Sequence, residues 1–321
     1  MGAISVLNMK MKENSKITIL TGGVGSEREI SLLTCDALSK SLKENFDVSV
    51  IELTEETLPE PHVFSNSVVF PAIHGTFGED GRLQELLDNA GINYAGSDAR
   101  ASRLCMNKYL SKRVVRESGV RIAPDVEFSN PSDLDMAKVL SDLGHNLIIK
   151  PVDQGSSVDL HVVSGENELT STLKNLPVGH WMIEKRIFGR ELTVGVLGDS
   201  TLGVVEIIPK GGLYDYERKY SAGETEYRFP AVIDCQIEQE IKEFAINAFR
   251  ACGCRDFGRV DFILNEDGKA YFLEINTIPG LTKTSLLPKS ASCSGYSFDN
   301  LTNQLVRPAI LRETKENLLI A

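Results

Sequence analysis

Positive charge is in short supply: 34 Lys and Arg stand against 45 Asp and Glu, a net charge of −11. That balance argues against a nucleic-acid binder working through a basic surface, although a few cations in a cleft still suffice to hold an anion. No apolar run approaches the ~20 residues of a membrane-spanning helix. The first sixteen residues have neither a basic segment before an apolar core nor a small-residue cleavage site, so they do not read as a signal peptide. Gly2 is not followed by Ser or Thr at position 6, which is Val6, and this excludes a myristoylation signal. Six cysteines contain no pair of C-x-x-C motifs, Cys252 and Cys254 stand too close for a zinc knuckle, and five histidines form no ligand pattern. The cysteines read as small buried hydrophobes in a reducing cytosol, and the expected location is the cytoplasm. There is no G-x-x-x-x-G-K-[ST] loop, and TGGVGS lacks the glycine spacing of a dinucleotide fingerprint.

What is present is enough apolar sequence, 42% of 321 residues, for two or three domains with buried cores. Residues 1–16 read as a loose extension. From 17 to 105, strand-like ITIL, VSVIEL and SVVFPAI alternate with helical segments 29–42 and 81–90. In the first helix Ile30, Leu33, Ala37 and Leu38 are expected on the core face. Strand–helix alternation predicts a doubly wound parallel sheet, with ligands beyond the carboxyl ends of the strands, where TGGVGSERE and HGTFGEDG lie. A second region, 106–190, holds a helix, the strands NLIIKPV and LHVV, and WMIEKRI, which reads as an edge strand. A third, 191–321, holds further strands, a polar tyrosine-rich loop at 210–228 with the composition of a lid, and a helix with Ile237, Ile241, Phe244, Ala245 and Ala248 on one stripe.

The chemistry concentrates in GRVDFIL (258–264) and AYFLEIN (270–276), two alternating runs joined by NEDGK. With a loop of residues 266–269, Asp261 falls opposite Glu274 and Arg259 opposite Asn276. Val260, Phe262 and Leu264 then share the buried face with Tyr271, Leu273 and Ile275. Two carboxylates and a carboxamide suit Mg²⁺, which takes one or two carboxylates and leaves its other positions to water and phosphate. Locally, a solvated strand face explains the same residues. Lys150 ends an apolar strand before the small loop Gly155-Ser156-Ser157, and is either a surface cap or a phosphate-binding charge. Glu184 and Glu191 flank a strand edge able to read a base, or simply keep it soluble. Gly280 to Ser285 offer backbone N–H groups and hydroxyls able to bind an oxyanion.

Taken together, GGVGSEREISL, HGTFGEDGRLQ, AGSDARASRLCMNK, IIKPVDQGSSV, LYDYERKY and GRVDF…LEINTIPGLTKTSLLP resemble the D-alanine–D-alanine ligase family of the ATP-grasp superfamily, in the family's order, from 17 to 301. The resemblance implies an α/β N-terminal domain and two α+β subdomains that clasp ATP. It also implies phosphorylation of one D-alanine carboxylate by ATP, attack by the amine of a second, and a homodimer without nucleic-acid or membrane partners. By matching position, Glu27 is expected to hold the first D-alanine's ammonium, with Ser156 and Tyr220 around it and His74 near its carboxylate. Lys108 and Lys150 are expected on the α and β phosphates and Lys219 on the γ-phosphate. Glu184, Lys185, Ile187 and Glu191 are expected to line the adenosine pocket, and Asp261, Glu274 and Asn276 to bind two Mg²⁺ or Mn²⁺ ions. Arg259 and Gly280 would stabilise the oxyanion, and Ser285 with Leu286 would receive the second carboxylate. Asp159 departs from the family, which usually has Gly there. Lys283 lies at a variable position, and D-serine or D-lactate is the alternative acceptor.

Overall fold

A computed structural model describes residues 15–155, 159–210 and 225–320, with side chains as far as 313. Strands β1 (Lys16–Gly22), β2 (Asp47–Leu53) and β3 (Ser67–Pro71) form a parallel sheet in the order β2-β1-β3. β1 is buried along its length because sheet neighbours lie on both sides and helices cover its faces. β2 departs from the expectation of a buried strand. It lies at the sheet edge, and Val50 is 46% exposed.

Helix α1 (Arg28–Leu42) packs its Thr34, Cys35, Leu38 and Leu42 into the core. The apolar face expected from periodicity is therefore rotated. Ile30 and Leu33 do not enter the core but line a cavity at the carboxyl end of the sheet, and Leu33 is 57% exposed. Thr34 and Ser31 take the inward positions because both find polar partners there. Helices α2 (Arg82–Asn89), α3 (Ala99–Met106) and α4 (Lys108–Glu117) follow. Asp98 and Asn107 cap the last two, accepting from the N–H groups of Ala101 and Leu110.

The central region is an antiparallel sheet in the order β4-β7-β5-β6, formed by β4 (Asp125–Phe128), β5 (Asn146–Pro151), β6 (His161–Ser164) and β7 (Trp181–Lys185). β7 was expected at an edge and is interior, because the short β4 covers its outer side. Helices α5 (Met136–Leu143) and α6 (Gly165–Asn175) pack on this sheet through Val139, Leu143, Leu169 and Leu173.

The last sheet, β10-β9-β8-β11-β12, is antiparallel. Its members are β8 (Gly189–Leu197), β9 (Ser200–Pro209), β10 (Thr225–Arg228), β11 (Phe257–Asn265) and β12 (Ala270–Asn276). Most of the lid-like loop, 211–224, lies outside the described residues, while its tail is β10, paired with β9. Helix α7 (Cys235–Ala251) buries Ile241, Ala245 and Ala248 as its periodicity predicts. Helices α8 (Leu286–Cys293) and α9 (Phe298–Ile320) close the chain. α9 returns to the first sheet: Leu301, Leu305 and Ala309 share a core with Ile17, Leu38 and Phe70. The pair Arg312–Asp256 and the bond from Arg312 to the Tyr94 carbonyl tie this helix to the residue before β11 and to the segment after α2.

Candidate active site

The β11–β12 hairpin has the expected pairing at its working end: Asp261 faces Glu274 and Arg259 faces Asn276. It reaches that register by a different route. The connection runs one residue longer than expected, so that Leu264 pairs with Ala270, and a bulge beyond Asp261 restores the register. A one-residue slip exchanges the two faces of a strand. Ala270 and Phe272 therefore join Val260, Phe262 and Ile275 in the core, while Tyr271 and Leu273 are only half-buried.

On the polar face the Asp261 carboxylate is saturated. Arg259 grips it with two bonds of 2.9 and 2.8 Å, Asn276 Nδ2 donates at 3.0 Å, and the Thr193 hydroxyl donates to Oδ1. Such a bidentate pair is among the stronger protein contacts, and Asp261 is 5% exposed. Lys108 Nζ lies 3.5 Å from Glu274 and donates at 2.6 Å to the Gln154 carbonyl. The donor set fits a hard divalent cation: two carboxylates, with the Asn276 carbonyl oxygen as a third ligand. Among the described residues no group of three or more His, Cys, Asp or Glu is placed to hold a metal by itself. Two carboxylates suit Mg²⁺, whose remaining positions go to water and phosphate oxygens. A cation taking an Asp261 oxygen must displace at least one donor now on it.

The hairpin opens into a cavity of about 540 Å³. Glu27, His74 and Lys108 line it from one side, Arg259, Glu274 and Asn276 from the hairpin, and Gly280, Ser285 and Leu286 from the following loop. Glu27 precedes α1, and its carboxylate lies against Gly75. A Cβ there would come within 3.0 Å of its Oε1, at a φ of +77° that also favours glycine. A Cβ on Gly155 would come within 3.9 Å of the same oxygen, so this carboxylate lies against two loops besides its own. His74 is buried, with Nε2 2.9 Å from the Thr34 hydroxyl and Nδ1 3.3 Å from Glu79. Thr34 and Glu79 thus orient the ring. Ser285 stands before α8, where its Oγ accepts from the Thr282 N–H at 3.1 Å, and Leu286 opens the helix. Helix N-terminal N–H groups favour a carboxylate. Gly280 sits where a Cβ would meet Ser285 Oγ at 3.0 Å.

Lys150 does not line this cavity. Its Nζ donates at 2.6 Å to Glu184, and Glu184 also accepts from Lys112 at 2.7 Å. Glu184 is buried. Although burial opposes its charge, Lys112 and Lys150 hold its carboxyl down at about 2. Lys185 is exposed, Ile187 half-buried, and residues 186–188 belong to no strand. Glu191 lies on β8 opposite Ile263 and Ile207. Ser156, Lys219 and Tyr220 lie outside the described residues. Asp159 has a φ of +52°, the left-handed conformation for which glycine is the usual residue and Asp a tolerated one.

A family model described as D-ala D-ala ligase C-terminus matches residues 116–307, and one described as D-ala D-ala ligase N-terminus matches 57–97. The D-alanine–D-alanine ligase of Thermotoga maritima is 40% identical over 306 residues, covering 93% of this chain and 98% of its own. The chain belongs to the D-alanine–D-alanine ligase family. The ligase of Syntrophotalea carbinolica is 37% identical, covering 94% and 98%. Among solved structures, the D-alanine–D-alanine ligase of Bacillus anthracis complexed with ATP superposes with a TM-score of 0.82 at 28% identity, covering 94% of this chain and 99% of that one. The VanG D-Ala:D-Ser ligase of Enterococcus faecalis reaches 0.82 at 29%, covering 92% and 99%. The succession of a parallel sheet and two antiparallel sheets is the ATP-grasp architecture expected of the family.

Four ligase-site neighbours escaped the sequence reading: Thr34, Glu79, Lys112 and Thr193. Only Lys112 carried a signal, lying one helical turn after Lys108 on an otherwise core-facing row.

Proposed function

We propose that this chain joins two D-alanine molecules into D-alanyl-D-alanine at the expense of ATP, in the cytoplasm, as a step towards peptidoglycan precursors. The observation that carries this reading is a single cavity lined by Glu27, an anion suited to an ammonium, and by the N-terminus of α8, suited to a carboxylate, with Arg259 beside them. An amino acid bound at each end would present one molecule's carboxylate to the other's amine. That arrangement turns a bimolecular condensation into an intramolecular one.

The first carboxylate attacks the γ-phosphorus of ATP, and ADP leaves with the bridging oxygen. The second amine, once deprotonated, attacks the acyl carbon, and collapse of the tetrahedral intermediate breaks the carbon–oxygen bond and releases phosphate. Fixed cations are the expected solution to charge that builds on the transferring oxygens. Lys108 and Lys150 are assigned to the α and β phosphates and Lys219 to the γ-phosphate. Glu184, Lys185, Ile187 and Glu191 are assigned to adenosine. Asp261, Glu274 and Asn276 would hold two Mg²⁺ or Mn²⁺ ions, which supply charge neutralisation on the phosphates when bound. Arg259 is assigned with the Gly280 N–H to the oxyanion. Ser156 and Tyr220 are placed around the Glu27-bound ammonium, His74 near the first carboxylate, and Ser285 with Leu286 at the second. Divisions at 17–105, 106–190 and 191–321, with two subdomains clasping ATP, and a homodimer belong to the same reading.

Competition among acceptors tests the specificity. With ATP, Mg²⁺ and equal D-alanine, D-serine and D-lactate, mass analysis is expected to find D-alanyl-D-alanine as the main product. A depsipeptide or a D-alanyl-D-serine majority would contradict it.

A further inference from the structure

Beneath the nucleotide residues lies a lysine that none of the roles above uses. Lys112 is wholly buried on α4, one turn after Lys108. Nζ donates at 2.7 Å to Glu184 Oε2 and at 3.1 Å to the Ala123 carbonyl, and it forms an ion pair with Asp125 Oδ2 at 2.5 Å. Each of these partners is a protein group and the ammonium is wholly buried, so Lys112 acts through its neighbours.

Those neighbours follow from the register of the central sheet. Asp125 pairs with Glu184 across β4 and β7, and Glu184 pairs with Ile148 across β7 and β5, which puts Lys150 on the same face two residues along. Lys112 reaches that face from α4 through its side chain. Glu184 divides its two oxygens: Oε2 takes Lys112 and Oε1 takes Lys150. Arg113 pairs with the other oxygen of Asp125. Three cations, Lys112, Lys150 and Arg113, thus face two carboxylates; the side chains of all but Arg113, which is about one-third exposed (32%), are buried. Among the described residues the cluster is one negative charge short of balance, and an anion reaching Lys150 would complete it. Burial is the main cause that lowers the Lys112 ammonium to about 8, with Lys150 and Arg113 adding to it and Glu184 opposing.

We propose that Lys112 is a positioning residue for the nucleotide: it occupies one oxygen of Glu184, so that the other aims Lys150 at the phosphates, and it supplies the buried positive excess those phosphates neutralise. The proposal rests on the assignment of Lys150 and Glu184 to ATP.

The test uses the full chain. Lys112→Met is expected to raise the KM for ATP by about tenfold or more, the range typical when a partner orienting a ligating group is removed. The KM for D-alanine should hold and kcat should change less, whereas a loss of folded protein would lower kcat per total protein and leave both KM values alone. Lys112→Arg keeps the charge and is expected to restore most of the ATP affinity. The second measurement starts from the wild type. Calorimetric affinity of the wild type for Mg·ATP should fall as the pH rises through about 8, where Lys112 releases its proton. The other charged groups facing Lys112 are Glu184 and Asp125 from the strands, Lys150 from β5 and Arg113 from its own helix. Loss of the step in Lys112→Arg identifies its source. A flat wild-type profile, or unchanged KM for ATP in folded Lys112→Met, overturns the proposal. Lys150→Ala separates the levels: unchanged ATP affinity there would defeat the nucleotide assignment itself, while weakened affinity beside an indifferent Lys112→Met would defeat this proposal alone.

Discussion

Arg259 and Asp261 hold each other so closely that neither can take up its assigned partner without a rearrangement. Charge on Arg259 alone does not suffice, because a lysine lacks the planar fork that matches a carboxylate or an oxyanion. Arg259→Lys is expected to lower kcat by about 10²-fold, as loss of an oxyanion donor does, with ATP affinity nearly unchanged. Steady-state kinetics beside calorimetry check this split, and a wild-type kcat would remove Arg259 from the site. Asp261→Asn keeps the shape and removes the charge. It is expected to raise the Mg²⁺ concentration needed for half-maximal rate, measured by magnesium titration at saturating ATP. At Glu184 the sign of the pH effect is fixed by its depressed pKa. A carboxyl held at about 2 in the folded chain and near 4.5 when unfolded contributes stability that is complete above about 4.5 and is lost as the pH falls through 2. The stability gap between wild type and Glu184→Gln, read from urea midpoints, should therefore narrow between pH 5 and about pH 2.5.

At the scale of elements, the β11–β12 hairpin shows what sequence periodicity conveys and what it hides. The functional face was legible because Arg259, Asp261, Glu274 and Asn276 alternate with apolar residues. The route to it was not, since a longer turn and a bulge offset each other and no side chain announces either. The observed phase makes a distinction between neighbours. Phe272→Ala should cost about 3–5 kcal/mol as a core truncation, and Leu273→Ala under about 1 kcal/mol as a partly exposed one, both measured by denaturant unfolding. Equal losses would place the bulge elsewhere. Helix α1 was misread in rotation for a related reason. Its Ile30 and Leu33 fit an apolar stripe, but Ser31 and Thr34 have polar partners inside, so the apolar pair faces the cavity instead. The position of Lys112 on a core-facing row was a signal, but a charged helical residue ordinarily reads as solvated. Its burial depends on Glu184, 72 residues away in the chain.

Across the whole molecule, the cavity is assembled from segments that no single sheet supplies. Glu27 and His74 come from the parallel sheet's loops, Lys108 from the start of α4, and Arg259, Glu274 and Ser285 from the last sheet and the segment after it. α9 runs back from the third region to the first sheet and shares its core, so these two regions are held together beside the site. Alternation of strands and helices made the first sheet legible, whereas this closure depends on contacts between residues some 260 positions apart, such as Ser41 and Thr302. The ligase reading needs all these segments to act on the same two substrates. The most direct test supplies the purified chain with ATP, Mg²⁺ and D-alanine, and follows phosphate release while identifying the product by mass. The account predicts release that depends on D-alanine, with one phosphate for each D-alanyl-D-alanine formed. ATP hydrolysis indifferent to D-alanine, or release without the dipeptide, would contradict it.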